Sequence, residues 1–389
     1  MAPTSVVIIG ASITGITAAH AFLNDNPGVK VVLINPSTLF YWNIGAPRLV
    51  AKPKVWKPEQ YLLPIKDAFA QYSAESFEFI AGSATAIDVA AKTVSVSVNN
   101  SNDTKSVSYD HLLIASGATT PSTTGALTGI SIPFKTPGRD DAQQIIETAQ
   151  QAISGANAIV IGGGGPVGVE FAGEIAEAAA QSGRQVSITL VSMTDRVLHV
   201  LKPSASYAAE KQLKQKKVKI ISSARVDKVE ASGDAPKSWT VSLNTGEKLE
   251  ADLYIPTTGI LPNNSFIPAE FLDRDGWVKV NKELRVQSSA NSSLPIYAAG
   301  DITTNTMRLS FKAVEQARIA VANIKADIAG HGERKSYDQG ESMMMLVPVG
   351  ETGGTGQIFG FVPFSCMIRF IKGKDFFISK APSFLAGKA

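Results

Sequence analysis

A glycine-rich turn between an apolar strand and a helix occurs twice in this chain, and it restricts the fold more than any other feature. The second copy is Gly163-Gly164-Gly165-Pro166-Val167-Gly168, directly after the apolar run Ala158–Ile161. The G-x-G-x-x-G spacing allows a tight turn, a close approach of the backbone to a pyrophosphate and close packing of helix on strand. The phosphates then lie at the positive N-terminus of the helix. In this context the motif predicts a dinucleotide-binding β-α-β unit.

The first copy of the turn departs from the pattern at one position. Gly10 and Gly15 delimit it, after the apolar run of residues 5–10, and Ser12 stands where the middle glycine is expected. Serine is small, and its hydroxyl can donate to a phosphate oxygen. Taken alone, this loop is also compatible with an ordinary strand-turn-helix. Its recurrence favours two nucleotide-binding domains built on one plan.

The acidic residue that such units usually carry at the end of the second strand is missing in both copies. Asn35 occupies the position in the first unit, where it keeps a hydrogen-bonding group for a ribose hydroxyl but no charge. In the second unit, Ser192 is followed by Asp195 and Arg196. A carboxylate repels the 2′-phosphate of NADPH, whereas an arginine can pair with it. The second unit is therefore predicted to accept NADPH as well as NADH, with Ser192 and Arg196 as contacts.

Composition limits the chemistry and the compartment. The 389 residues include one cysteine, Cys366, and four histidines, which excludes an intramolecular disulfide and a Cys-x-x-Cys pair and argues against a metal site. The formal net charge of +3 is too small to argue for nucleic acid. No apolar run approaches the roughly 20 residues that cross a bilayer, and residues 1–24 contain no lysine or arginine, unlike a secretory signal. We expect an intracellular protein with Cys366 as a buried apolar residue.

The order of these units predicts an α/β fold class with two Rossmann-like dinucleotide-binding domains, the second inserted in the first, and a small C-terminal segment. Alternating runs and turn residues predict hairpins over 75–110 and 218–257, and helical spacing predicts a long helix over 305–329. The predicted boundaries are 1–124 with 254–334 for the first domain, 125–253 for the second and 335–389 for the C-terminal segment.

Three further motifs give the chain a family resemblance. Tyr109–Gly117 resembles the D-x-L-x-x-A-T-G strand of flavoproteins with two dinucleotide domains, with Ser116 replacing the threonine. Thr257–Asn263 resembles the second such strand, and Ile296–Asp301 resembles the late FAD motif. The chain is thus similar to the pyridine nucleotide-disulfide oxidoreductase-like flavoproteins. That resemblance implies bound FAD in the first domain and exchanging NADH or NADPH in the second.

Two other segments narrow the resemblance to one branch. The chain resembles the apoptosis-inducing-factor-like (mitochondrion-associated inducer of death) group in Phe40-Tyr41-Trp42-Asn43, in the nearby Arg48 and in the tail from Gly350 to Pro382. This group includes the ferroptosis suppressors and their fungal relatives. The group is also similar to type II NADH dehydrogenases. The myristoylated glycine of some animal members is absent, since residue 2 is alanine. The resemblance implies a cytoplasmic or peripheral membrane location, such as a mitochondrial or lipid-droplet surface, and is compatible with a homodimer.

The resemblance also implies roles for individual residues. Glu170 is similar to a glutamate near the nicotinamide, and Lys312 is expected to stabilise charge on the reduced flavin; both are predicted catalytic residues. The alternatives are a glutamate favoured by the helix dipole and a solvated helix lysine. Arg48 is expected at the flavin or pyrophosphate, or in a surface ion pair. The predicted cofactor contacts are Gly10, Ser12, Gly15, Asn35, Arg48, Ser116, Gly117, Gly163, Gly165, Pro166, Gly168, Ser192, Arg196, Gly259, Gly300 and Asp301.

The single cysteine bears on the reaction that the resemblance implies. Many relatives pass electrons from flavin through a cysteine pair, which this chain lacks. The expected reaction is hydride transfer from NAD(P)H to the flavin and direct transfer to an acceptor, with a quinone as the leading candidate and oxygen as a side acceptor. Two alternatives are a redox-sensing signalling protein with nucleic-acid or protein partners and a flavin monooxygenase.

An aromatic segment in the tail has three interpretations. Its residues could form a quinone channel, a membrane-facing surface with interleaved basic side chains, or part of the core. The residues concerned are Phe359, Phe361, Phe364, Met367 and Phe370.

Overall fold

The computed structural model describes residues 3–25, 28–101, 103–232, 238–288, 293–341 and 343–388. The helices are α1 (Ile13–Asp25), α2 (Ala46–Ala51), α3 (Pro58–Tyr61), α4 (Pro121–Thr124), α5 (Ala142–Gly155), α6 (Pro166–Gln181), α7 (Pro203–Gln215), α8 (Ser310–Ala329), α9 (Ser365–Ile368) and α10 (Ala381–Leu385). The strands are β1 (Thr4–Ile9), β2 (Val29–Asn35), β3 (Leu39–Tyr41), β4 (Leu62–Pro64), β5 (Phe77–Asp88), β6 (Thr93–Val98), β7 (Thr104–Ser108), β8 (His111–Ile114), β9 (Ala118–Thr119), β10 (Ala158–Gly162), β11 (Ser187–Val191), β12 (Lys219–Ile221), β13 (Val226–Ala231), β14 (Trp239–Leu243), β15 (Lys248–Ala251), β16 (Leu253–Pro256), β17 (Leu261–Pro262), β18 (Ile296–Ala298), β19 (Met345–Pro348) and β20 (Gly354–Gln357).

The first sheet has the strand order β18-β8-β1-β2-β5-β6-β7. Strands β18, β8, β1, β2 and the first half of β5 run parallel, and the second half of β5 pairs antiparallel with β6. Residues Val6–Ile9 in the middle of the sheet are fully or almost fully buried. Helices α1 and α8 pack against each other beside this sheet. Burial on both faces explains why β1 is apolar without alternation.

The second sheet is wholly parallel, with the strand order β12-β11-β10-β16. The antiparallel strands β13, β14 and β15 pack on it through a second apolar cluster that includes Trp239 and Val241. The predicted α/β fold class with two dinucleotide-binding units is therefore confirmed. Strand β16 belongs to the second sheet, so the chain returns to the first sheet only after residue 256 rather than at residue 254.

The two connections between the units lie side by side. Strand β9 pairs antiparallel with β17. Next to this pair, the Ser116 hydroxyl donates to the Asn263 carbonyl at 2.8 Å, and the Asn263 side-chain amide donates to the Ser116 carbonyl at 2.8 Å. These reciprocal bonds hold the entry to and the exit from the second unit together.

The C-terminal segment packs against the rest of the molecule. It contains the antiparallel pair β19–β20 and the short helices α9 and α10. Phe376 is fully buried, and its carbonyl accepts a hydrogen bond from the Trp42 indole at 3.0 Å. An imidazole nitrogen of His20 on α1 lies 2.8 Å from the Leu385 carbonyl oxygen. None of the helices in the described ranges is both long and apolar enough to cross a membrane.

Candidate active site

A cleft of about 510 Å³ lies where both glycine loops, the Gly300-Asp301 turn and the C-terminal segment meet. Its walls come from both sheets, because the carboxyl ends of parallel strands carry the loops that bind ligands. Of the residues predicted from the sequence, the cleft brings together Ser12, Ser116, Gly117, Gly165, Pro166, Glu170, Gly259 and Asp301.

The first glycine loop can only be built with glycine at its two ends. Gly10 has φ +106°, and a Cβ there would lie 2.8 Å from the carbonyl carbon of Ala115. A Cβ on Gly15 would collide with the carbonyl group of Gly10. The loop therefore packs tightly on β8, while Ser12 and Thr14 face the cleft at the start of α1. This cradle fits the pyrophosphate of a dinucleotide such as FAD.

Asn35 stabilises this loop. Its side-chain oxygen accepts a hydrogen bond from the backbone of Ala11 at 2.9 Å, and its amide donates to the Ser37 carbonyl at 2.7 Å. The side chain thus joins the first glycine loop to the end of β2. Its contact with a ribose stays a prediction.

The second glycine loop leaves one position open to the cleft. Gly163 has φ +132°, and a Cβ there would lie 2.6 Å from the Thr257 hydroxyl oxygen. Gly168 packs on the Gly163 carbonyl in the same way as Gly15 packs on Gly10. A Cβ on Gly165 would meet no protein atom within 4 Å. Gly165 therefore supplies the free space that a ligand phosphate needs beside the N-terminus of α6.

The loop after β11 contributes Val200 to the cleft walls, whereas Ser192 and Arg196 of the same loop do not line the cleft. Ser192 is buried against Gly164, and its hydroxyl lies 3.1 Å from that of Thr194. The Arg196 guanidinium donates to the His199 carbonyl at 3.0 Å and pairs with Asp195 at 3.3 Å. The predicted contacts of Ser192 and Arg196 with NADPH remain predictions.

Glu170 and Lys372 form an ion pair in the wall of the cleft. The Lys372 ammonium donates to the Glu170 carboxylate at 2.6 Å and to the Leu346 carbonyl at 3.1 Å. Glu170 lies in the second turn of α6 and is almost fully buried. Burial raises the pKa of this carboxyl group, and the positive charge of Lys372 opposes the rise. The sequence alone does not identify Lys372 as a site residue, because it is one of several basic residues in the tail.

Two further cations line the cleft. The Lys135 ammonium pairs with the Asp301 carboxylate at 2.6 Å. Arg308 lies in the turn that leads into α8. Neither residue belongs to a motif, so the sequence contains no signal that identifies them.

The structure places Lys312 and Arg48 outside the walls of the cleft. The Lys312 ammonium pairs with Glu315 at 2.9 Å, whereas Ser310 and Ala313 of the same helix face the cleft. Arg48 is buried and forms two hydrogen bonds with the Glu174 carboxylate, at 2.7 and 3.0 Å. The alternative of a surface ion pair for Arg48 is therefore wrong, because its partner is buried too. Contacts of Lys312 and Arg48 with FAD stay predictions.

Four phenylalanines and one methionine of the tail are exposed, all between residues 359 and 370. We call Phe359, Phe361, Phe364, Met367 and Phe370 the aromatic patch; the exposed fractions of Phe359, Phe364 and Phe370 are 84%, 72% and 76%. The interpretation that these side chains belong to the core is therefore wrong. Cys366 lies within the same stretch and is also exposed, so its predicted burial is wrong as well.

Comparison with known proteins agrees with this architecture. The model of the pyridine nucleotide-disulphide oxidoreductase family matches residues 4–317. Oxidoreductase ptaL from Pestalotiopsis fici is 33% identical over 390 residues, which cover 98% of each chain. Ferroptosis suppressor protein 1 from Homo sapiens is 28% identical over 96% of this chain and 94% of that protein. The structure of the sulfide:quinone oxidoreductase from Aquifex aeolicus shares the fold, with a TM-score of 0.79 at 17% identity over 99% of this chain and 92% of that one.

Proposed function

The chain belongs to the pyridine nucleotide-disulphide oxidoreductase family, in its apoptosis-inducing-factor-like branch, and from that membership we propose that it is an FAD-dependent NAD(P)H:quinone oxidoreductase. The protein is a flavoenzyme that uses NAD(P)H. The observation that carries the proposal is the shared cleft: both glycine loops open into it, and Cys366, the one cysteine of the chain, lies on the exposed surface. A dithiol relay is excluded, so electrons pass directly to an acceptor.

The first unit would hold FAD through the backbone of the Gly10–Gly15 loop, with Asp301 and Gly117 along the cleft, and the second would hold the nicotinamide nucleotide at Gly165. Bound FAD would accept a hydride and release two electrons to the acceptor. The net reaction converts NAD(P)H, one proton and a quinone into NAD(P)⁺ and a hydroquinone.

We assign to Lys372 the role of donating a proton to the reduced quinone. Reduction of a quinone places negative charge on its oxygens, and an ammonium group in a poorly hydrated cleft stabilises that charge and can donate a proton to it. The side chain of Lys372 is 15% exposed, so it can regain the proton from solvent. Glu170 would hold the ammonium in place as a positioning residue.

Several apolar residues line the cleft, and we place the acceptor beside them. They include Met343, Met345, Leu346 and Ile260, which suit a flat aromatic ring. The Aquifex aeolicus enzyme, whose fold the chain shares, is a sulfide:quinone oxidoreductase, so this fold is compatible with a quinone as substrate.

The aromatic patch would place the protein on a membrane surface. Basic Arg369 and Lys374 are interleaved with it, and residues 352–374 contain no aspartate or glutamate. Exposed aromatic side chains beside basic ones are typical of an interfacial contact with anionic lipids. The location and the quinone are part of one proposal, since membrane quinones reside in lipid.

The test compares wild type with Lys372→Gln, which keeps a donor toward Glu170 but loses the charge. Wild-type protein should carry FAD and oxidise NADH or NADPH much faster with a short-chain quinone than with oxygen alone. We expect Lys372→Gln to lower quinone-dependent turnover about 100-fold, while reduction of the flavin by NAD(P)H changes little in stopped-flow absorbance.

Lys374→Gln is the matched control, because its exposed ammonium has no partner in the cleft and should leave turnover unchanged. A colourless protein that binds no added FAD, or a flavoprotein that quinone does not accelerate, would overturn the proposed function. If Lys372→Gln reduces the quinone as fast as wild type does, Lys372 does not take part in the proposed reaction.

A further inference from the structure

Arg308 is held at the rim of the cleft by an aromatic ring and a turn. Its guanidinium carbon lies 3.8 Å from the centroid of the Trp277 ring, a stacking that fixes the plane of the group. The backbone has φ +54°, a conformation that non-glycine residues adopt rarely and that concentrates at functional sites. The amide of Arg308 donates to the Thr306 hydroxyl at 3.1 Å. The position of the side chain is therefore set before any ligand arrives.

The hydrogen-bonding capacity of this guanidinium is not used by the described part of the protein. Its Nε is buried and has no hydrogen-bond partner there, and no described carboxylate lies within ion-pair distance of it. The two nearest acidic groups act on it only at longer range. Asp301 is paired with Lys135 at 2.6 Å, and Asp273 accepts from the backbone amides of Asp275 and Trp277 at 2.9 and 2.8 Å. A buried donor without an acceptor is costly, and a ligand oxygen would remove that cost.

The charges in the cleft walls indicate which kind of ligand oxygen the Arg308 guanidinium would bind. Of the three cations in its walls, Lys135 and Lys372 each have a carboxylate partner, at 2.6 Å in both pairs. Arg308 is the cation among the described wall residues that has no carboxylate partner. Its neighbours Met307 and Leu309 also line the cleft and are apolar. A flat apolar ring with one anionic oxygen matches both properties, because a planar guanidinium binds an oxyanion through parallel hydrogen bonds.

We propose that Arg308 is a specificity-determining residue that selects a quinone carrying an anionic oxygen on its ring, such as the enolate of a hydroxyquinone. The inference rests on the proposed quinone reduction and names its substrate class. The electron balance is that of any quinone: the two carbonyl oxygens gain two protons and the ring system two electrons, supplied by the hydride of NAD(P)H and one proton from solution. The anionic oxygen takes no part in that transfer and serves recognition.

The test uses two acceptors of nearly equal size with the FAD-loaded protein. 2-Methyl-1,4-naphthoquinone is neutral, and 2-hydroxy-1,4-naphthoquinone is an anion at neutral pH. For Arg308→Gln we expect kcat/KM for the hydroxyquinone to fall about tenfold or more through KM, and kcat/KM for the methylquinone to change less than about threefold. Arg308→Lys keeps the charge and should recover part of the loss. Arg318→Gln, an exposed arginine on α8 outside the cleft, is the control and should change neither value.

Two further measurements decide among the outcomes. Titration of oxidised holoprotein with the hydroxyquinone, followed by the flavin absorbance, should show binding to wild type and weaker binding to Arg308→Gln. The ratio of flavin to protein after gel filtration should be equal for both. An equal loss on the two acceptors, or loss of FAD from Arg308→Gln, would overturn the inference, the latter because the arginine would then serve the cofactor. If wild type reduces neither quinone, the proposed function fails, and the titration still decides whether Arg308 binds the anion.

Discussion

At the scale of single residues, the two glycine loops show that glycines with the same motif position can serve different purposes. Gly10, Gly15, Gly163 and Gly168 are required by the protein itself, because a Cβ at each would collide with backbone or side-chain atoms of the chain. Gly165 is different, since a Cβ there would meet only the open cleft. Its backbone has φ −76°, which alanine adopts without strain.

Gly165→Ala should therefore fold normally and lose nucleotide affinity. The added methyl group occupies the space where we place the phosphates of NAD(P)H, so we expect its Kd to rise about tenfold or more, while FAD content and melting temperature stay the same. Titration of the oxidised holoprotein with a non-reducing nucleotide analogue measures this directly.

Gly155→Ala, at the end of α5 with open space around it, is the matched control. An unchanged Kd for Gly165→Ala would show that the second loop is not where the nucleotide phosphates bind.

At the scale of elements, helix α6 connects the parts of the molecule through a row of buried carboxylates. Glu170 contacts Lys372 of the C-terminal segment, and Glu174 contacts Arg48 on α2. Glu177 contacts Lys52 at 2.8 Å and Lys216 at 2.7 Å. All these pairs join different elements, so α6 holds α2, α7 and the tail in one arrangement. Removing one partner of a buried pair costs about 3–5 kcal/mol when the other is left alone.

Glu177 makes this arrangement sensitive to acid. Burial alone would raise the pKa of its carboxyl group, but hydrogen bonds from Lys216, Lys52 and the backbone of Glu351 lower it to about 2. A carboxyl group with a lowered pKa stabilises the fold above its usual pKa and loses that contribution as the pH falls toward the folded-state value. The loss should therefore fall between roughly pH 4.5 and pH 2.

Glu177→Gln should lower the free energy of unfolding by about 1–3 kcal/mol at pH 7. The difference from wild type should shrink as the pH falls from about 4.5 toward 2, because the unfolded wild-type chain then takes up a proton at Glu177 while the folded carboxylate, with a pKa of about 2, stays charged. Chemical unfolding of both proteins between pH 7 and pH 3 measures this difference in the free energy of unfolding. Glu247→Gln, which removes an exposed pair with Lys219, should cost less than about 0.5 kcal/mol. A difference for Glu177→Gln that is the same at pH 7 and pH 3 would contradict the assignment.

The elements also show which features of the site can be predicted from sequence. The glycine loops are local, and steric constraints between neighbouring residues give them a fixed spacing, so both were identified and their β-α-β units confirmed. The partners of Lys372 and Lys135 lie 202 and 166 residues away in the chain, and no local pattern encodes such contacts. Arg48 illustrates the same limit, since its buried partner Glu174 is 126 residues away. Exposure of the aromatic patch was one of three interpretations that a sequence pattern alone leaves open.

At the scale of the whole molecule, the aromatic patch defines one face of the protein. Phe364 and Phe370 are more than two-thirds exposed, so replacing them removes little packing from the core. If this face contacts lipid, the double variant Phe364→Ser/Phe370→Ser should bind anionic vesicles at least about tenfold more weakly, because each phenyl ring contributes about 1.5–3 kcal/mol on burial. Co-sedimentation with vesicles of phosphatidylcholine and phosphatidylserine measures the binding.

The matched control is Tyr207→Ser, a similarly exposed aromatic residue outside the patch, which should bind vesicles as wild type does. Turnover of a water-soluble quinone should be the same in all three proteins. Vesicle binding of the double variant equal to that of wild type would mean that the patch serves another purpose.

The reciprocal bonds between Ser116 and Asn263 have a consequence for motion during turnover. They join the entry and exit strands of the second unit, and the ion pairs of Glu174 and Glu177 on α6 attach that unit to α2 as well. Two separate attachments restrict how far the second unit can turn against the first. We therefore expect nucleotide and acceptor to enter and leave the cleft with little change in the relative orientation of the two units.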